Sequence, residues 1–70
     1  MNKWDGRPVK SWAEYVGRRC LVIEDRYCEG GKEVFVKEIS PSKARVKFRF
    51  SSGVEIWENG KDWLLIECLE

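Results

Sequence analysis

Histidine is absent from this chain, which removes the commonest general base and the commonest metal ligand together. Net charge is almost absent too: 13 Lys+Arg stand against 12 Asp+Glu, so no global field favours a polyanionic partner. No uninterrupted apolar run is longer than Trp63 to Ile66, far short of a transmembrane helix. The first eight residues, MNKWDGRP, lack the apolar stretch of a signal peptide. An even set of cysteines is missing as well. Cys20, Cys28 and Cys68 are three, with no Cys-x-x-Cys pair, unlike the disulfide framework of a small secreted scaffold. Three thiols without histidine make a poor tetrahedral zinc site, so they read as small apolar side chains. The expectation is a soluble, reduced, cytoplasmic protein with no metal, no cofactor and no membrane partner.

What is present is a folding composition. Hydrophobic residues are 43% and charged residues 36%, too apolar for a disordered segment. At 70 residues, folding removes only about 60% of the unfolded chain's surface from water. One domain fits this length, with no room for a cofactor fold or a large buried cleft.

Residues 1–10 are polar and read as an irregular arm carrying Trp4. Ser11-Trp-Ala-Glu14 fits a capping box, which predicts a short helix over 11–17 ended by Gly17. From 18 to 70 the pattern is all β. Arg18–Glu24 and Glu33–Ile39 read as strands flanking a loop that holds Tyr27 and Gly30-Gly31. Ser40–Lys43 is a tight turn with proline at its second position. Ala44–Phe50 alternates apolar and basic residues. Ser51-Ser52-Gly53 closes a hairpin onto Val54–Glu58, with Gly53 where positive φ is needed. A 3₁₀ turn at 61–63 and a fifth strand, Leu64–Leu69, complete the chain.

The hairpin loop sets a register. Phe50, Phe48 and Val46 pair with Val54, Ile56 and Glu58 on one face; Arg49 and Lys47 pair with Glu55 and Trp57 on the other. The second strand needs a bulge near Lys37-Glu38 to bring Ile39 to the core side. The expected core is Val22, Val34, Val36, Val46, Phe48, Phe50, Ile56 and Leu65, with Trp63 at a rim and Trp12 covering an end or side. Five short strands with a strong bend suit a small closed barrel.

The run from Glu33 to Trp57 (EVFVKEISPSKARVKFRFSSGVEIW) carries a resemblance. With the 3₁₀ turn before the last strand, it resembles the five-stranded Src-homology-3-like small barrel, and within that class Tudor and KOW-type domains. The resemblance implies a non-enzymatic binding module. It also departs from methyl-reading Tudor domains. Their Asp-Tyr-Gly-Asn-type segment is replaced here by Phe50-Ser51-Ser52-Gly53, and only Tyr27 stands where a cage aromatic would lie.

Charge is uneven along the chain. Residues 32–50 hold six Lys/Arg against Glu33 and Glu38, a local +4. Residues 51–70 hold Lys61 against Glu55, Glu58, Asp62, Glu67 and Glu70, a local −4. Arg45, Lys47 and Arg49 make a basic stripe at period two, beside an outward Trp57 and near Phe35. Basic groups around aromatic platforms suit a nucleic-acid strand. The plainer reading is a solvated sheet face neutralised by Glu55 and Glu58. Two partners therefore stand open: nucleic acid, bound through Arg45, Lys47, Arg49, Trp57, Tyr27 and Phe35, or a protein. The second class includes a homodimer formed through Trp57, Phe35 and the arm. No acid–base or nucleophile constellation is present, since Glu24 and Asp25 point to opposite faces and Cys28 has no histidine.

Overall fold

The computed structural model describes residues 6–25 and 31–69. It contains five strands in one antiparallel sheet: β1 (Arg19–Glu24), β2 (Lys32–Ile39), β3 (Arg45–Phe50), β4 (Glu55–Asn59) and β5 (Trp63–Cys68). Their order across the sheet is β4-β3-β2-β1-β5. The β3–β4 register is the one the Ser-Ser-Gly loop dictates, with Val46 opposite Glu58, Lys47 opposite Trp57, Phe48 opposite Ile56 and Arg49 opposite Glu55. Gly53 supplies the positive φ, +93°, and the loop closes with Phe50 N–H donating to Val54 O at 2.9 Å. The β2 bulge is also present, as a register shift between Val36 and Glu38.

Four expectations are corrected. The sheet is not closed into a barrel. One reason is that the outer edge of β5 is already taken: Arg7 and Leu65 exchange backbone hydrogen bonds at 2.9 and 2.8 Å, so Leu65 has none left for β4. The short helix is a single 3₁₀ turn, Trp12–Tyr15, and Ser11 makes no side-chain cap bond. Four residues are too few to offset the cost of helix nucleation. The sheet also competes for the backbone just beyond: Gly17 N–H donates to Val36 O at 2.8 Å, and Val36 N–H to Arg18 O at 3.0 Å. The third correction concerns Ile56, which is 44% exposed rather than core. It shares a face with buried Phe48, but β4 is an edge strand and nothing described covers that part of its inner side.

The core itself is Trp12, Cys20, Val22, Val34, Val36, Val46, Phe48, Trp63 and Leu65, with Phe50 partly buried against it. Trp63 lies inside the core, not at a rim. Phe48 is its centre: its ring meets Trp12, Trp63 and Phe50 edge-on at centroid distances of 5.3, 5.5 and 6.3 Å. Edge-to-face packing places the positive ring edge on a negative π-face. Ile23 is buried on the opposite face of β1, beneath Gly6.

Trp12 joins the 3₁₀ turn to the far end of the chain. Its indole Nε1–H donates to Gly60 O at 2.9 Å. A Cβ on Gly60 would stand 2.8 Å from Trp12 Cδ1. Gly60→Ala is therefore expected to cost about 1–3 kcal/mol by overpacking. The check is urea denaturation, in which the midpoint falls at constant m-value.

Candidate functional site

The outer face of β2, β3 and β4 is built by strand alternation. Odd-numbered residues of β3 and β4 point to it, so Lys47 and Trp57 stand side by side, as do Arg49 and Phe35. Lys47 Nζ lies 5.2 Å from the Trp57 ring centroid, and Arg49 Cζ 5.6 Å from that of Phe35. Carboxylates then take up most of this charge. Arg49 Nε donates to Glu55 Oε2 at 3.0 Å, and Lys37 Nζ is 3.8 Å from the same oxygen. Lys47 Nζ is 3.6 Å from Glu38 Oε2. The Arg49 hydrogen bond, helped by Lys37, holds the Glu55 carboxyl below its usual range. Glu38 fills the place expected of Glu58, which lies opposite Val46 on the inner face.

Arg45 is different. It is exposed, and it stands at the end of the sheet where two turns meet. The Ser40 turn is held by Lys43 N–H to Ser40 O at 2.8 Å and Arg45 N–H to Ser40 Oγ at 3.1 Å; Lys43 takes φ +65°. Gly60 N–H then donates to Ala44 O at 2.9 Å, which seats the Asn59–Lys61 turn against it. The result is a shallow cleft of about 410 Å³ on which Lys10, Lys43, Arg45 and Lys61 converge, with Asn59 and the Gly60 backbone between them. Among the described residues its lining holds no carboxylate. Among the described residues none of the four cations forms an ion pair. Trp57, 42% exposed, lies two residues from Asn59 on the same face of β4.

The residues expected at the site thus divide. Arg45 and Trp57 belong to one continuous surface, with Lys47 under the Trp57 ring. Arg49 and Phe35 are engaged with each other and with Glu55. Tyr27, like Trp4 and Cys28, lies outside the described residues. Lys10 and Lys61 escape a sequence reading because they stand 51 positions apart in the chain. The register extended one pair beyond β3, which sets Ala44 opposite Gly60, could have found Lys61, but no local signal places Lys10.

Of the two described thiols, the buried Cys20 offers no nucleophile at neutral pH. Cys20 is fully buried and faces Cys68 across β1 and β5. Burial, and then the neighbouring Cys68, push the Cys20 thiol up from 9.0 to about 12. The folded state therefore holds this proton more tightly than the unfolded chain does. Stability is fully present below pH 9.0 and falls as pH rises towards 12. Urea titrations at pH 8 and pH 10.5 should show that loss, and Cys20→Ala should flatten it. Among the described residues no three His, Cys, Asp or Glu gather to hold a metal ion, and no helix is long and apolar enough to cross a membrane.

Comparison with known proteins finds no family model, no curated protein and no solved structure that matches this chain.

Proposed function

We propose that this chain is a non-enzymatic binding module that holds a nucleic-acid strand across the Arg45 end of its sheet. Phosphates sit on Lys10, Lys43, Arg45 and Lys61, and a base stacks on Trp57. One observation carries the reading: four cations from three separate segments converge on a cleft whose described lining has no carboxylate, next to an exposed indole. Like charges raise one another's energy when held together, and an anionic backbone relieves that cost while releasing its condensed counterions. The indole adds a stacking platform that every base can use. What supports the Src-homology-3-like resemblance is the set of five short antiparallel strands, the return of β5 beside β1, and the 3₁₀ turn Gly60–Asp62 before it.

The test is fluorescence anisotropy of a labelled single-stranded oligothymidylate. Binding in the range of about 1–100 μM is expected for contacts of this kind, weakening as salt rises. Arg45→Glu/Lys61→Glu should abolish it. Binding that survives this reversal, or no binding at 50 mM salt and about 200 μM protein, sinks the proposal.

A further inference from the structure

A strand at a sheet edge presents one row of backbone groups to solvent. Here the edge of β5 is occupied at Leu65 by Arg7, and that of β4 is met by no other strand among the described residues. Which β4 groups are open follows from the ladder. Phe50 bonds Val54 at one end and Ala44 bonds Gly60 at the other. Hydrogen-bonded pairs recur at every second residue of an antiparallel ladder. Val54, Ile56 and Glu58 therefore spend their backbone groups on β3. The N–H and C=O of Glu55, Trp57 and Asn59 point to the open edge. β4 also lacks a proline, a lysine and a bulge, three usual defences of an edge.

The side chains beside that edge form a wall that no described residue covers. Val54 and Ile56 are 49% and 44% exposed, and with Phe50 and Trp63 they line a cleft of about 700 Å³ on the inner side of the sheet. Trp63 Nε1–H is buried there without an acceptor among the described residues. The rim is acidic: Glu24, Glu33 and Glu58 stand against Lys32. Glu33 is engaged by Arg19 at 3.2 Å, whereas Glu24 and Glu58 form no ion pair among the described residues.

We infer that β4 takes up an extended peptide of a partner protein as a sixth strand. Its backbone bonds Glu55, Trp57 and Asn59, its alternate apolar side chains enter the cleft, and flanking Lys or Arg residues meet Glu24 and Glu58. Strand addition of this kind draws affinity from the main chain and specificity from alternate side chains. A second copy of the chain fits less well. Two β4 strands paired about Ile56 would place each Glu58 opposite the other's Val54, with a carboxylate in the apolar cleft. A nucleic-acid strand meets carboxylates at this rim and is repelled. The two surfaces share Trp57 and Asn59, but the cations Lys10, Lys43, Arg45 and Lys61 lie outside the apolar cleft, so charge reversal at Arg45 and Lys61 separates the two readings.

The probe is the blocked octapeptide Thr-Lys-Thr-Val-Thr-Val-Thr-Lys, titrated into the 15N-labelled full chain. Amide shifts centred on Glu55, Trp57 and Asn59 are expected. Methylating the peptide nitrogens that face β4 should weaken binding at least tenfold, as should replacing both peptide lysines by glutamate. Ile56→Glu should do the same, while Arg45→Glu/Lys61→Glu leaves peptide binding within twofold. The inference is overturned if the methylated peptide binds equally well, or if no β4 amide moves at millimolar peptide. It is also overturned if sedimentation shows a dimer through β4 that the peptide does not dissociate.

Discussion

Phe48→Ala is expected to leave most of the chain unfolded at 25 °C. Phe48 is fully buried and is the one ring that touches Trp12, Trp63 and Phe50 together. Truncating a buried phenylalanine costs about 3–5 kcal/mol, part of it lost transfer energy and part the cavity left behind. Collapse around that cavity is blocked on two sides. Trp12 is tied by its indole to Gly60 O, and Trp63 is fixed at the start of β5 against Glu24. In a chain this short a single hydrophobic core rarely supplies more than about 3–5 kcal/mol of net stability, so the loss takes most of what there is. Near-UV circular dichroism should lose its aromatic signal, and the urea midpoint should approach zero. Phe48→Leu, which keeps more of the volume, should stay folded. The partner across the strand behaves oppositely. Ile56→Ala should change stability by no more than about 0.5 kcal/mol, since that side chain is already half in water. A Phe48→Ala variant that loses less than about 2 kcal/mol would show that the core is not organised around this ring.

That contrast shows where sequence reasoning succeeds and where it stops. Phe48 and Ile56 carry the same signal: apolar, mid-strand, directly opposed, on the same face. Alternation and loop chemistry are local, so they were enough to place Phe48 opposite Ile56 and Lys47 opposite Trp57. They were also enough for the bulge at Lys37, the positive φ at Gly53, and the 3₁₀ turn before β5. Whether a face is covered depends on what lies across the sheet, and no window of the chain contains that. The uncovered flank of β4 follows from strand order and from Arg7 occupying the edge that β4 would need for closure. The burial of Trp12 rests on a bond to Gly60, 48 positions away. The basic stripe divides for the same reason. Glu38 and Glu55 reach across neighbouring strands to Lys47 and Arg49, while Lys10 and Lys61 arrive from the two ends of the chain. Of the three stripe residues, Arg45 alone lies in the cleft where they converge.

Neutralising that cluster should change how binding depends on salt more than any other surface substitution. Each phosphate neutralised on a single strand contributes about −0.7 to the slope of log K against log salt. Four contacts give a slope of about −2.8, which means a loss of about fiftyfold between 50 and 200 mM salt. With Lys43→Ala, Arg45→Ala and Lys61→Ala combined, one contact remains, and the same change in salt costs only about threefold. Lys47→Ala/Arg49→Ala should leave the slope near its original value, because those cations already answer to Glu38 and Glu55. Trp57→Ala should weaken binding at every salt concentration by about 1–3 kcal/mol without altering the slope, since stacking releases no counterions. The triple variant should also fold at least as well as the parent, because removing clustered like charges relieves repulsion. Anisotropy titrations at four salt concentrations separate these cases. If the Lys47/Arg49 pair flattens the slope and the triple variant leaves it unchanged, the strand lies along the middle of the sheet. The cleft at the Arg45 end would then have no part in binding.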